Sequence, residues 1–246
     1  MRFERIVIFG ATSAIAQATA RRLAAPGVRF HLVARDAQKL DAVRGDLVAR
    51  GAAATTALAD LDDVDRHRAL LDEAERALGS IDAALIAHGT LGVQAACEAD
   101  FALTQREWRT NFVSPASLAA HLANRMEPAR RGTIVAISSV AGDRGRRSNY
   151  VYGTAKGALS IFLEGLRARL HGTGVAVITV KPGFVDTPMT AGFRKGPLWS
   201  SPARIAAGIE RAMQRGPGEV YLPRFWWAIM FVIRHLPEAI FVRLKI

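Results

Sequence analysis

Short apolar runs recur along the chain, each bounded by charged or turn-forming residues and separated by longer amphipathic stretches. RIVIF (5–9), RFHLVA (29–34), ATTALA (54–59), AALIA (83–87), TIVAI (133–137), VAVITV (175–180) and EVYL (219–222) have the length and β-branched content of strands. Between them lie helical patterns. After Gly10, residues Ala16, Thr19, Ala20 and Leu23 share one helix face. Further helices are expected over 36–50, with Asp36 as N-cap, over 64–78, over 104–126 as one long element, over 150–170, and from Pro202 onward. Nearly all-apolar strands alternating with helices of ten or more residues predict an α/β fold, a doubly wound parallel sheet buried by helices on both faces.

Such sheets bind ligands at the carboxyl ends of their strands. Asp60, Gly89, Ser139 and the pair Pro182–Gly183 all fall there. The first strand runs into GATSAIA, a Gly turn opening a helix whose free N–H groups and positive dipole end suit a pyrophosphate. Only Gly10 is glycine in that turn, Ala14 and Ala16 standing at positions that often carry more. At the end of the second strand, Arg35 stands where an acid would take a ribose 2′-hydroxyl and an arginine accommodates a 2′-phosphate. NADP(H) is therefore favoured over NAD(H), unless Asp36 turns inward to the ribose.

Tyr152 and Lys156 are four residues apart in a helical pattern, hence on one face. A neighbouring ammonium favours the phenolate, so Tyr152 is expected to be unusually acidic and to exchange protons near neutral pH. Ser139 precedes it by thirteen residues at a strand end, placed to hold a substrate oxygen. Lys156 is one of five lysines in a chain that otherwise draws its positive charge from arginine.

The chain has 246 residues, half of them hydrophobic, enough for one α/β domain with a large core. Its net charge of +11 suggests an anionic partner, a phosphate-bearing cofactor, an acidic membrane surface or nucleic acid, although much of the arginine excess lies along helix faces where plain solvation accounts for it. No basic run interleaved with aromatics appears, which argues against nucleic acid. Cys97 is the only cysteine, so no intrachain disulfide can form and nothing calls for an oxidising compartment. No metal-ligand cluster is apparent. Glu4, Gly10 and Thr12 interrupt the N-terminal apolar stretch, which reads as strand and turn rather than as a secretory signal. A cytoplasmic location is expected, at the inner membrane face if the C-terminus touches lipid.

Together, the Gly turn, Asp60, Asn111, Ser139, Tyr152, Lys156 and PGFVDTPM (182–189) resemble the short-chain dehydrogenase/reductase family over positions 4 to about 222. The resemblance implies a single Rossmann-like domain and hydride transfer between a ketone and a secondary alcohol. By it, Tyr152 is the general acid in reduction and the base in oxidation. Lys156 lowers the Tyr152 pKa and bonds the nicotinamide ribose, Ser139 orients the substrate oxygen, and Asn111 holds a water in a proton relay. Cofactor contacts would come from Gly10, Thr12, Ser13, Ile15, Arg35, Asp60, Leu61, Gly89, Tyr152, Lys156, Pro182, Gly183, Val185 and Thr187. Among these, Val185 would meet the carboxamide and Thr187 the phosphates. The sequence departs from the family at Ala87-His88-Gly89, where N-A-G is usual and the Asn steadies the central strand. Family members commonly form dimers or tetramers, here through the helices over 104–126 and 150–170. A non-catalytic NADP(H)-sensing protein or a membrane-surface scaffold on the same fold is the alternative.

Two segments fall outside the shared motifs. The loop 189–201 reads as a lid over the crevice or as an ordinary connection. The extension 223–246 carries a nine-residue apolar run, 225–233, with paired Trp226 and Trp227 and flanking Arg224, Arg234, Arg243 and Lys245. It is too short to span a bilayer and fits a segment lying in an anionic interface, although it could instead pack against another subunit or over the substrate crevice. This tail and the GATSAIA turn resemble the branch of the family whose reductases act in decaprenylphosphoryl-2-keto-ribose epimerisation, implying a small-molecule or lipid-linked substrate.

Overall fold

The structure, a computed structural model, describes residues 3–244. Seven strands form one all-parallel sheet: β1 (Arg5–Phe9), β2 (Arg29–Ala34), β3 (Ala53–Leu58), β4 (Ala83–Ile86), β5 (Gly132–Ile137), β6 (Val175–Pro182) and β7 (Gly218–Leu222). Their order is β3-β2-β1-β4-β5-β6-β7, so the winding reverses between β1 and β4. Every expected strand is present, displaced by at most two residues at an end. β3, at the sheet edge, is largely exposed, while β1, β4 and β6 are buried along most of their length.

Helices cover both faces. On one, α1 (Ala14–Leu23), α2 (Ala37–Ala49) and α8 (Pro202–Arg215) enclose Ile6, Ile8, Leu32, Val135 and Ile178; on the other, α3 (His67–Leu78), α6 (Ser114–Ala129) and α7 (Tyr150–Arg169) enclose Val7, Phe9, Ala84, Ile134 and Val177. Odd and even positions of the same strands feed opposite layers, as the pleat requires. Asp36 caps α2 by accepting from the Lys39 N–H at 3.0 Å, which fixes that carboxylate to its helix.

The single helix expected over 104–126 is instead three pieces. α5 (Phe101–Trp108) follows a short α4 (Gln94–Ala99), and a π-turn over Arg109–Val113 joins α5 to α6. The apolar period runs through this region without a break, but the extra residue in the turn rotates Asn111 inward, where it is fully buried.

The C-terminal extension folds back as α9 (Phe225–His235) and α10 (Glu238–Phe241). Trp226 and Met230 of α9 are buried with Val140 and Tyr221 in a third, smaller core. Arg144 donates through Nη1 to the carbonyls of Ile233 at 2.5 Å and Leu236 at 2.6 Å, and its guanidinium lies 3.8 Å from the centre of the Phe241 ring. An arginine at the last turn satisfies carbonyls that have no partner within the helix. Among the described residues no helix is long and apolar enough to cross a membrane.

Candidate active site at the strand tips

The carboxyl ends of β1, β3, β4, β5 and β6 converge on one rim. At the β1 tip, Gly10 adopts φ +79°, and a Cβ there would meet the His88 backbone nitrogen at 2.5 Å and its Cα at 2.7 Å. Glycine is required on both counts. Ser13 precedes α1 in an extended conformation and makes no side-chain cap, so the first N–H groups of the helix keep no protein partner of that kind. Ala16 sits in the regular helix, fully buried; Ala14, at its start, also has a negative φ, so neither position demands glycine. Thr12, Ser13 and Ile15 line this turn. Arg35, exposed at the β2 tip, has no ion-pair partner among the described residues. Asp60 uses Oδ1 to accept from the Asp62 N–H at 3.0 Å, holding the β3 tip in a turn, with Leu61 buried beside it.

His88 occupies the place where Ala87-His88-Gly89 departs from the N-A-G motif of the family it resembles. Its Nε2 is 2.8 Å from the Ser114 hydroxyl, which itself donates to the Leu61 carbonyl at 2.5 Å. Ser114 has one proton to give, so His88 donates from Nε2 and leaves Nδ1 bare, buried and unpartnered. Burial first, then the Lys156 charge, pushes the imidazole down to about 3. A neutral histidine thus ties the β4 tip to the β3 tip, a strand-steadying role that the sequence lacks an asparagine to fill.

Ser139 starts a 3-10 turn (Val140–Asp143), its hydroxyl accepting from the Ala141 N–H at 3.1 Å and close enough to Tyr152 to act on its proton affinity. Tyr152 and Lys156 project from the first two turns of α7. Gly142, Gly153 and Gly157 allow that helix to lie against the turn; a Cβ on Gly142 would meet the Gly157 nitrogen at 2.5 Å. The Lys156 ammonium, buried, donates to the Ile137 carbonyl at 3.1 Å and stands 5.7 Å from the Tyr152 ring centre. Asn111 and Lys156 flank Gly89, since a Cβ there would meet Asn111 Oδ1 at 2.8 Å and Lys156 Nζ at 3.5 Å. The four side chains singled out by spacing therefore share one pocket.

One expectation fails. Tyr152 is not acidified: burial pushes its pKa up to about 12, the nearby Ser139 hydroxyl opposes this only in part, and the Glu107 charge adds to the rise. Burial likewise pulls Lys156 down to about 8, against the Glu107 charge. The spacing argument considered the pair in isolation, whereas desolvation acts on both members and outweighs their mutual effect.

Glu107, which the sequence reading passed over, is the carboxylate of this pocket. It accepts from the Thr90 hydroxyl at 3.0 Å, the Gly92 N–H at 3.1 Å and Asn111 Nδ2 at 3.1 Å. Asn111 in turn accepts from the Thr90 N–H at 3.2 Å. Glu107 lies four residues before Asn111, a helical spacing that could have drawn attention to it.

On the far side, Pro182 ends β6 and Gly183 follows with Trp226 of α9 laid directly on it, leaving no space for a Cβ. Phe184 packs edge-on to Trp226 and stacks on Trp199, tying the 189–201 loop to α9. Val185 is buried and bridges Ser200, and its carbonyl accepts from the Thr190 hydroxyl at 2.6 Å. Thr187 caps a 3-10 turn over Pro188–Thr190, exchanging bonds with Thr190. No group of three or more potential metal ligands occurs among the described residues.

A doubly wound sheet with a Ser, a Tyr and a Lys at its tips defines a nucleotide-dependent oxidoreductase class. Comparison with known proteins gives the family. Residues 4–197 match the short chain dehydrogenase family model. The chain is 43% identical to an uncharacterized oxidoreductase of Mycobacterium tuberculosis, covering 97% of this chain and 96% of that one. It is 36% identical to an uncharacterized oxidoreductase of Streptomyces coelicolor, covering 98% and 96%. It is also 31% identical to the cis-4-hydroxycyclohexanecarboxylate dehydrogenase of Sinomonas cyclohexanicum, covering 77% and 76%. A short-chain type dehydrogenase/reductase from Mycobacterium ulcerans shares the fold with a TM-score of 0.80 at 20% identity, covering 90% and 89%. The chain belongs to the short-chain dehydrogenase family and is an oxidoreductase of that family, which uses NAD(P)(H).

Proposed function

We propose that this protein reduces a ketone to a secondary alcohol, and runs the reverse reaction, with NADP(H) favoured over NAD(H). The observation that carries this reading is the convergence of Ser139, Tyr152, Lys156 and Asn111 in one pocket beside the Gly10 turn. The uncapped N-terminus of α1 and the glycine at its entrance fit a dinucleotide pyrophosphate. Gly10, Thr12, Ser13, Ile15, Asp60, Leu61, Gly89, Pro182, Gly183, Val185 and Thr187 would hold the cofactor, with Arg35 at its 2′-phosphate. Asp36 is committed to capping α2, which supports the phosphate-bearing form. Bound there, the nicotinamide supplies or accepts the hydride.

The chain's own residues manage the proton and the oxygen. A phenol held near 12 keeps its proton at neutral pH, so Tyr152 stands ready to donate to a carbonyl oxygen. Ser139 shares that oxygen and fixes its place. Lys156, charged below about pH 8, favours the negative charge that develops on Tyr152 as the proton leaves. Asn111 and Glu107 hold the loop after β4 against Lys156.

The substrate side supports an apolar or lipid-linked molecule: Phe184, Trp199 and Trp226 form a continuous aromatic wall. The dehydrogenase from Sinomonas cyclohexanicum, named for a ring hydroxyl, supports a secondary alcohol. We take residues 1–222 as the nucleotide-binding domain and α9–α10 as part of its substrate wall, with an outward face suited to an anionic membrane surface. Pairing of subunits is proposed through α7 and the π-turn and α6 beside it, where Ile161 of α7 and Val113 of the π-turn are exposed.

The test is Tyr152→Phe. With NADPH and a ketone such as cyclohexanone, turnover should fall by about 10²–10⁴-fold, the usual range for a general acid, while thermal melting stays close to wild type. Full retention of ketone reduction would remove Tyr152 from the chemistry and the reading with it.

A further inference from the structure

Between Ser139 and Tyr152 the chain carries Arg144, Arg146 and Arg147, and the first two have different uses. Arg144 closes the end of α9 through its carbonyls. Arg146 turns inward. Its one hydrogen-bond acceptor among the described residues is the Met230 thioether, at 3.5 Å, and its Nε is buried without a partner. A thioether is a weak acceptor. The carboxylate whose charge it feels, Asp143, is already taken: Oδ1 by the Lys181 ammonium at 2.7 Å and Oδ2 by the Tyr221 hydroxyl at 2.7 Å. A guanidinium partly withdrawn from water, its Nε covered and without an ion-pair partner among the described residues, is a costly arrangement.

Two further buried polar atoms on the adjoining segments also lack partners. Asn149 Oδ1 belongs to the turn that Arg146 closes, the Asn149 N–H donating to the Arg146 carbonyl at 3.1 Å. The Trp226 indole nitrogen, one helical turn from Met230, is packed against Gly183 and so is closed to a ligand. A guanidinium can only donate, and an amide can be turned to do so. Arg146 and Asn149 both sit on the stretch that links Ser139 to Tyr152. Val140, next to Ser139, packs in the same cluster as Met230 and Trp226.

We propose that Arg146 receives an anionic group of the substrate, a carboxylate or a phosphate, while the substrate carbonyl meets Ser139 and Tyr152. The proposal rests on the ketone-reductase reading above and specifies its substrate. The planar fork of an arginine matches either oxyanion through paired, charge-assisted bonds.

Matched ketone pairs test it on the NADPH-saturated protein: cyclohexanone against 4-oxocyclohexanecarboxylate, and dihydroxyacetone against its phosphate. Wild type should favour the charged member of at least one pair in kcat/KM, and the pair that shows the preference identifies carboxylate or phosphate as the group. Arg146→Gln should erase that preference by roughly ten- to a hundredfold, the loss expected for a charge-assisted bond, and Arg146→Lys should keep part of it. Melting of Arg146→Gln should not drop, because a half-buried charge without an ion-pair partner has been removed. The proposal is overturned if wild type shows no preference, or if Arg146→Gln slows both members of each pair alike. A second arm separates it from failure of the reductase reading. Calorimetric titration of the same NADPH-saturated protein with inorganic phosphate should show binding that Arg146→Gln weakens at least tenfold even if none of these ketones turns over. Equal binding, or none, overturns the anion site by itself.

Discussion

Lys156 governs the pH behaviour of the pocket because it is the group whose charge changes nearest neutrality. Tyr152 remains protonated up to about 12, so the loss of Lys156 charge near 8 is expected to set the alkaline limb of ketone reduction. Glu107 raises Lys156, and His88, neutral at this pH, contributes no charge. Glu107→Gln should therefore move the alkaline limb to lower pH in a kcat/KM profile; an unmoved limb would show that Glu107 does not act on Lys156. The same shift has a stability consequence of defined sign. The ordinary lysine value is 10.5, so between about 8 and 10.5 the unfolded chain binds the proton that the folded chain has released, and stability contributed by this group rises with pH. The penalty is complete below 8. Lys156→Met should then melt higher than wild type at pH 7, with the gap narrowing toward pH 10.5, while activity is lost. The i, i+4 spacing made Tyr152 and Lys156 visible in sequence, yet the proton affinity of Tyr152 was misread. It depends on burial and on Glu107, which are properties of the assembled pocket.

At the scale of elements, the strands were legible because an all-parallel sheet demands nearly continuous apolar runs, and those runs stand out. The π-turn at Asn111 was not. Its apolar pattern continues through 104–126, and one additional residue in a turn leaves no mark on a period read over a dozen positions. The contact between β6 and α9 was equally hidden, since Gly183 and Trp226 are far apart in the chain and meet only after the extension folds back. That contact gives a direct test. A Cβ at Gly183 has no room against the Trp226 indole, so Gly183→Ala should cost about 1–3 kcal/mol, a typical overpacking penalty, lowering Tm by roughly 2–4 °C per kcal/mol for a chain of this size. In a Trp226→Ala background the same substitution should cost much less, because the opposing ring is gone. A double-mutant cycle by thermal or urea unfolding measures this coupling; additive effects would mean that α9 does not rest on Gly183. Cofactor affinity should fall with Gly183→Ala as well, because the displaced segment is the one proposed to wrap the nicotinamide.

At the scale of the whole molecule, the positive charge and the C-terminal extension belong to one question. The sequence offered three places for the tail: a membrane surface, another subunit, or the crevice. The inner face of α9 is spent on the third core through Trp226 and Met230, so removing residues 223–246 would strip that core and cannot isolate a surface role. The outer face is a separate surface. Trp227, Phe231 and Val232 are more than half exposed, α10 adds Ile240 and the chain beyond it Val242, and Arg224, Arg234 and Arg243 flank them without a carboxylate partner among the described residues. Apolar side chains edged by arginines complement an anionic bilayer better than a neutral one. Trp227→Ser/Phe231→Ser should therefore abolish co-sedimentation with vesicles containing phosphatidylglycerol while leaving the inner core of α9 intact. Replacing the three arginines with Gln should weaken it by about a hundredfold, on the basis of about 1 kcal/mol per cation near an anionic surface. Added salt should weaken wild-type binding in the same direction, as screening of exposed charge requires. Equal binding to pure phosphatidylcholine would refute the electrostatic part. A change of solution mass in Trp227→Ser/Phe231→Ser, without any vesicle binding by wild type, would assign the face to a second copy of the chain instead.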